Sequence, residues 1–213
     1  MICGVDEAGR GPVIGPMVVA GVMIENESQL VGLNVRDSKK CTPKRRTRLA
    51  QEINKIANCE FIIVPAKDID TMREQMTMNQ IETKLFASII EKLRPDTAYV
   101  DSADVNEERF GKNIKNELNF EVEIISKHDA DDIYPIVSAA SIIAKTTRDS
   151  EIQKIRDEIG KEIGSGYPSD PTTIKFIEDW IDKHGKTPPH TRISWATTQR
   201  LLNKSKTKKI ENF

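Results

Sequence analysis

The stretch Ile2–Ile24, ICGVDEAGRGPVIGPMVVAGVMI, decides the fold. Ile2 to Val5 and Met17 to Ile24 are short apolar runs rich in β-branched residues, and a Gly/Pro-rich turn separates them. Both read as strands of one sheet. Asp6 and Glu7 stand where the first run meets the turn. Working outward, Thr42-Pro43 caps a helix through about Asn58, and Phe61 to Val64 reads as a third strand. From about Asn79 to Leu93 a helix carries Ile81, Leu85, Ile89 and Ile90 on one face, and Pro95 stops it before a strand from Thr97 to Val100. Asp101 ends that strand. A helix from about Glu107 to Leu118 leads to a strand from Phe120 to Ile125, a polar turn holds Asp129, Asp131 and Asp132, and Pro135 opens a long helix. Strands first, then strands alternating with helices, predict an α/β fold: a mixed sheet flanked by helices. Gly164 to Pro171 is rich in Gly, Pro and Ser and sets a boundary between residues 1–165 and a small helical C-terminal part, 166–213. That part holds helices from about Thr172 to His184 and Trp195 to Asn203.

At 213 residues the chain is long enough to bury a sizeable core. With 38% hydrophobic and 31% charged residues, neither disorder nor a fibrous architecture is implied. No apolar run approaches the roughly 20 residues of a membrane span, and Met1 to Val5 runs straight into charge without a basic leader. A cytoplasmic protein without a membrane partner is expected. The three cysteines, Cys3, Cys41 and Cys59, fit neither a disulfide framework nor zinc spacing and read as packing residues. Net charge is −1, but it is unevenly spread: residues 1–165 carry 23 basic and 28 acidic side chains, residues 166–213 nine and five. A basic C-terminal part either supplies attraction to a polyanion or is merely soluble.

Asp6, Glu7 and Asp101 read as acids at strand ends. Hard divalent cations take oxygen ligands and rest on carboxylates together with substrate phosphate oxygens. Two such ions can activate a water and stabilise the leaving oxygen of a phosphodiester, with no protein nucleophile. Any single strand-end Asp is more often a turn or cap residue. Neighbouring strand residues also point to opposite faces, so Asp6 and Glu7 reach one site only if the strand ends or bends there. Other chemistries lack their residues. There is no HExxH helix, and Gly9-Arg10-Gly11-Pro12 lacks the Gly-Lys-Ser/Thr ending of a phosphate-binding loop. His128, His184 and His190 have no zinc-ligand spacing. His128 either assists proton transfer or is an exposed turn histidine.

Along the helix after Pro135, Ser138, Ser141, Lys145 and Arg148 fall on one face, expected to look outward and line phosphates or solvent, while Ile136, Ala140, Ile143 and Ala144 pack inward. A second basic cluster, Lys39, Lys40, Lys44, Arg45, Arg46 and Arg48, either contacts backbone phosphate or is solvated.

Gly4-Val5-Asp6-Glu7-Ala8-Gly9-Arg10-Gly11-Pro12 resembles the opening signature of type 2 ribonucleases H, especially those of archaea. Asp37-Ser38-Lys39-Lys40, Asp101-Ser102-Ala103-Asp104-Val105, Ala130-Asp131, Tyr134-Pro135 through Ala144-Lys145, and Ser165-Gly166-Tyr167-Pro168-Ser169-Asp170-Pro171 resemble its later blocks in order. The resemblance implies a ribonuclease H-like sheet and an endonuclease that cuts RNA in RNA/DNA hybrids and at single ribonucleotides embedded in DNA. It implies Asp6, Glu7, Asp101 and Asp131 as ligands of Mg²⁺ or Mn²⁺, with Asp131 matching the motif rather than Asp129 or Asp132. It further implies that Gly9, Arg10 and Gly11 read the ribose 2′-hydroxyl and that Tyr167 stacks beside the ribonucleotide at the DNA junction. Lys39, Ser138 and Lys145 complete the substrate-binding residues, and a monomer is expected. The end of the chain is expected to be an unstructured extension. There, Ile210 and Phe213 have the spacing of anchors in sliding-clamp-binding peptides, although Thr207 takes the usual glutamine position and a second aromatic is absent.

Overall fold

The computed structural model describes residues 1–35 and 41–211, with side chains through residue 207. Five strands form one sheet: β1 (Ile2–Ala8), β2 (Met17–Ile24), β3 (Asn58–Val64), β4 (Thr97–Asp101) and β5 (Glu123–Lys127), in the order β3-β2-β1-β4-β5. β1 pairs antiparallel with β2 and parallel with β4, and β4 pairs parallel with β5. The helices are α1 (Pro43–Ile56), α2 (Ala66–Arg73), α3 (Met78–Leu93), α4 (Glu107–Glu117), α5 (Ala130–Ile133), α6 (Pro135–Ile159), α7 (Pro171–His184) and α8 (Ala196–Glu211), with a 3₁₀ turn at Glu27–Leu33. The expected mixed sheet flanked by helices is present. No described helix is long and apolar enough to cross a membrane.

Local chemistry sets the helix ends. Thr42 accepts from the amide of Arg45 at 3.3 Å with Pro43 in the first turn, and Thr77 and Gln80 form a reciprocal capping box. Asp170 caps α7 before Pro171, and Gly185 ends it in the left-handed conformation.

The residues gather into two compact units, each assembled from several stretches rather than lying on either side of Ser165: 1–8, 18–63 and 76–148 in one, and 9–17, 64–75 and 149–213 in the other. In the first unit the sheet is covered on both faces. One face packs on α1 and the first half of α6 through Val18, Ala20, Val22, Ile53, Ile136 and Ala140, the other on α3 and α4 through Cys3, Val5, Phe86, Ile90, Val100 and Phe110. The second unit has its own core, in which Val13 and Ile14 pack with Ile152 and Ile155 of α6, Ile177 and Ile181 of α7 and Leu201 of α8.

Three expectations are corrected. β5 starts at Glu123, not Phe120, because Phe120 and Val122 pack into the core as loop residues, with the Arg94 guanidinium 4.8 Å from the Phe120 ring centroid. α8 runs to Glu211, so the chain beyond Asn203 is not an unstructured extension as far as it is described. The polar stripe of α6 does not look outward: Ser138 and Ser141 are fully buried and Arg148 nearly so. Between Ile136 and Ala144 the helix is buried all round, the Ser138 hydroxyl bonds to the carbonyl of Asp131, and Ser141 accepts from Lys145 just beyond.

Candidate active site

Strand register brings Asp6 and Asp101 together. β1 and β4 pair from Ile2↔Thr97 to Val5↔Val100, so the next residue of each strand, Asp6 and Asp101, stands at one level just past the last pair. Val5 and Val100 enter the core under α3 and α4. By the alternation of a strand, Asp6 and Asp101 turn to the opposite face, the one covered by α6. Gly4, two residues before Asp6 on that face, meets α6 directly: a Cβ there would lie 2.6 Å from the amide nitrogen of Val137 and closer still to the carbonyl of Ile136. This close approach sets the start of α6 against β1. One and two turns further along α6, Ser141 and Lys145 come level with Asp6.

Asp6 is 4% exposed, and its carboxyl is pushed up to about 7, first by burial and then by the negative charge of Asp101. Opposing this, Ser141 donates its hydroxyl, the Lys145 charge is near, and the amide of Glu7 donates at 2.7 Å. Lys145 Nζ in turn donates to Ser141 Oγ at 2.7 Å, so a cation, a hydroxyl and a carboxylate form one chain of hydrogen bonds.

Asp101 reaches the third acidic segment. Its Oδ1 accepts from the amide of Ala130 at 2.8 Å, tying the end of β4 to the start of α5. Asp129, at φ 50°, turns the chain into that helix. Asp129, Asp131 and Asp132 each bring a carboxylate oxygen within 4.8 Å of the others, but only Asp131 is buried. The Ser138 hydroxyl donates to the carbonyl of Asp131. Ser138, expected among the substrate-binding residues, is therefore a buried hydroxyl that locks α5 to α6.

Glu7 is half-buried on β1. The strand does not end at the Asp6-Glu7 pair, since Glu7↔Val19 and Ala8↔Val18 remain paired with β2. The pleat therefore starts Glu7 from the face of Cys3 and Val5, opposite Asp6. His128 is a surface turn residue: its amide donates to Glu107 at 3.1 Å, and Nε2 lies 3.3 Å from the carbonyl of Val105.

In the second unit, Gly9 takes φ 87°, a left-handed conformation that favours glycine, and starts the Gly9–Arg10–Gly11 loop. Gly11 lies against Tyr167, since a Cβ on Gly11 would be 3.9 Å from the ring edge of the tyrosine. Two motifs about 155 residues apart in the chain are thus neighbours (residues 11 and 167). The loop carrying Tyr167 is held by Asp170, whose carboxylate accepts from the amide and hydroxyl of Ser165 and the amide of Thr172 at 2.6, 2.8 and 2.9 Å. These bonds hold Asp170 down to about 2. Tyr167 itself is 37% exposed.

Lys39 and the Asp37–Lys40 block lie outside the described residues, as do the side chain of Ile210 and all of Phe213. Three residues important to this geometry carried no signal of that role in the sequence. Ser141 was part of a stripe expected to face out, and Arg192 and Trp195, whose side chains donate to the carbonyls of Gly9, Arg10 and Gly11, belong to no chemistry-bearing pattern. Burial and long-range hydrogen bonds reveal them.

The Ribonuclease HII family model matches residues 3–198. A ribonuclease HII of Thermococcus kodakarensis is 49% identical, covering 98% of this chain and 92% of its own length. Among solved structures, ribonuclease H2 of Pyrococcus horikoshii superposes with a TM-score of 0.90 at 41% identity, covering 96% of this chain and 98% of that one. The RNase HII in the PCNA:RNase HII complex from Archaeoglobus fulgidus does so with a TM-score of 0.89 at 42% identity, covering 94% and 96%.

Proposed function

The chain belongs to the ribonuclease HII family and is a ribonuclease H, and on that premise we propose that it hydrolyses the RNA strand of RNA/DNA hybrids and cuts 5′ to single ribonucleotides embedded in duplex DNA. The products are 3′-hydroxyl and 5′-phosphate ends, and the activity serves ribonucleotide removal and RNA primer processing. The observation that carries the reading is the convergence of Asp6 and Asp101 just beyond the last β1–β4 pair, beside Asp131 through the Asp101–Ala130 bond.

The donor set is carboxylate oxygen throughout, which suits a hard divalent cation. A buried carboxyl beside a half-buried one also fits such an ion, because a cation offsets both the burial of Asp6 and its repulsion by Asp101. Asp6, Asp101 and Asp131 would hold it, and Glu7, which leaves β1 on the opposite face, would join them past the end of the β1–β4 pairing, where no β4 residue stands beside it. Mg²⁺ or Mn²⁺, two ions in the cutting complex, would activate water and stabilise the leaving oxygen. The chain's own groups hold that cluster in place. Ser141 and Lys145 orient Asp6, Ala130 fixes Asp101, and Ser138 fixes the segment bearing Asp131. Lys145 adds a positive charge for the scissile phosphate. The Gly9–Arg10–Gly11 loop reads the ribose, since a glycine backbone approaches a sugar closely and the 2′-hydroxyl distinguishes RNA from DNA. Tyr167 offers a flat face beside that loop for stacking at the junction. The same reading gives the chain end, through Ile210 and Phe213, to a sliding clamp, and the A. fulgidus relative in complex with PCNA supports it.

The test is to incubate the protein with Mg²⁺ or Mn²⁺ and three duplexes: DNA holding one ribonucleotide, an RNA/DNA hybrid and plain DNA. Cleavage 5′ to the lone ribonucleotide and within the hybrid, with plain DNA intact, is the expected result. Binding of the hybrid without cleavage, or equal cutting of plain DNA, refutes it.

A further inference from the structure

We propose that Arg192, together with Trp195, is a positioning residue that fixes which edge of the Gly9–Arg10–Gly11 loop is offered to the sugar; the proposal rests on the ribose-reading role given to that loop above. Arg192 is the largest fully buried side chain among the described residues. Its guanidinium is turned on the loop's own carbonyls: Nη2 donates to Gly9 at 2.6 Å, Nη1 to Arg10 at 2.8 Å and Nε to Gly15 at 3.0 Å. Trp195 adds the next carbonyl, its indole Nε1 donating to Gly11 at 3.2 Å, while its ring centroid lies 4.8 Å from the guanidinium carbon. Two side chains three residues apart thus hold every carbonyl from Gly9 to Gly11.

The consequence follows from peptide geometry. No peptide bond among the described residues is cis, and a trans peptide sets its C=O and N–H on opposite sides. With the Gly9 and Arg10 carbonyls drawn toward Arg192, the amides of Arg10 and Gly11 point away from it. The following peptide has no N–H, because residue 12 is proline. The outer edge of the loop is therefore a pair of adjacent donors with its acceptors sequestered, which suits an oxygen acceptor such as a ribose 2′-hydroxyl. A peptide flip would replace a donor by a carbonyl, and the three-pronged contact of Arg192 opposes it. Lysine cannot substitute, because a single ammonium is a point donor and cannot span three separated carbonyls as a planar fork does.

The experiment pairs a protein change with a substrate change. kcat and KM are measured on DNA duplexes with either one ribonucleotide or one 2′-fluoro nucleotide, fluorine being a poor acceptor, for the full chain and for Arg192→Lys, Trp195→Phe and Gly9→Ala. In the unmodified protein the hydroxyl substrate is preferred by some factor in kcat/KM. Arg192→Lys is expected to shrink that factor about tenfold, the order of one lost hydrogen bond. Trp195→Phe, which keeps the ring and removes only the indole donor, is expected to shrink it less, and it carries the test if Arg192→Lys does not fold. A general loss of rate with an unchanged preference in both variants overturns the proposal, because a merely structural residue would lower both substrates alike. Gly9→Ala, which strains the left-handed start of the loop, separates the two ideas. If Gly9→Ala shrinks the preference and the Arg192 and Trp195 variants do not, the clamp is wrong and the ribose reading stands. If none of the three moves it, the ribose reading fails, and the clamp with it.

Discussion

Substitution of Gly4 by alanine tests how the face that carries Asp6 and Asp101 is assembled. An added Cβ would lie 2.6 Å from the Val137 amide nitrogen and closer still to the carbonyl of Ile136, all backbone atoms of α6 that cannot rotate aside. Ordinary contact begins roughly 1 Å further out, so β1 and α6 must separate by about that much. Overpacking of this kind costs about 1–3 kcal/mol, and the upper part of the range applies because no flexible side chain absorbs it. The same displacement carries Ser141 and Lys145 away from Asp6, and a 1 Å misplacement costs roughly 100-fold in rate. Urea unfolding should show a lower midpoint with an unchanged slope, and single-turnover cutting of an RNA/DNA hybrid should slow about 100-fold even under conditions where the variant is fully folded. Gly32→Ala is the control, because nothing lies within 4 Å of a Cβ there. It should alter neither quantity appreciably. Wild-type stability together with wild-type cleavage in Gly4→Ala would mean that α6 does not set the geometry of Asp6.

Four further outcomes are expected. Asp6→Asn should abolish nearly all turnover in Mg²⁺ while leaving hybrid binding largely intact, and of the α5 segment only Asp131→Asn, not Asp129→Asn or Asp132→Asn, should match it; near-normal rates in Asp6→Asn contradict the site. Tyr167→Ala should slow cutting at a lone ribonucleotide more than cutting of a long hybrid, so equal losses count against junction stacking. Asp170, held near 2 in the fold against about 3.9 unfolded, contributes stability above pH 4 that is lost as pH falls toward 2. Asp170→Ala should therefore cost about 1–2 kcal/mol at neutral pH through the lost α7 cap and flatten the acid limb of a thermal-shift profile, an unaltered acid limb refuting the assignment. Removing residues 207–213 should abolish co-purification with a sliding clamp while leaving cleavage unchanged; equal clamp recovery argues against the motif.

The centre of the sheet was legible because β1 and β2 are largely buried on both faces and read as short apolar runs, as Met17–Ile24 does from end to end. The helix start at Pro43 was legible from its Thr42 cap, and the starts at Met78 and Pro171 were placed to within a residue, the first by apolar periodicity and the second by the Gly/Pro-rich segment before it. What failed did so for identifiable reasons. Phe120 and Val122 look like strand residues but enter the core from a loop. α2, with only Ala66 and Ile69 buried over eight residues, is too short and polar to show a helical period. Asp6 and Asp101 were visible as acids near strand ends. That Asp6 lies within β1, and faces Asp101 because the β1–β4 pairing stops at Val5↔Val100, depends on register, which no local pattern encodes. The buried hydroxyls of Ser138 and Ser141 were misread as outward because a polar stripe on a helix usually faces water. Arg192 was illegible because its partners are backbone carbonyls, which leave no trace in residue identity.

The hold of Arg192 on Gly9 joins residues 183 apart in sequence. During synthesis residues 2–24 emerge well before residue 192 and can pair as a hairpin, yet the turn between them lacks its retaining side chain until residue 192 has followed. Contacts of such separation form late, since a long loop must close before they contribute. A nascent or truncated chain ending before residue 192 would carry Asp6 and Asp101 without a fixed loop to discriminate among sugars. If the loop reads the sugar as proposed, the order of synthesis makes that discrimination a late acquisition of the polypeptide, and truncation before residue 192 a direct way to lose it.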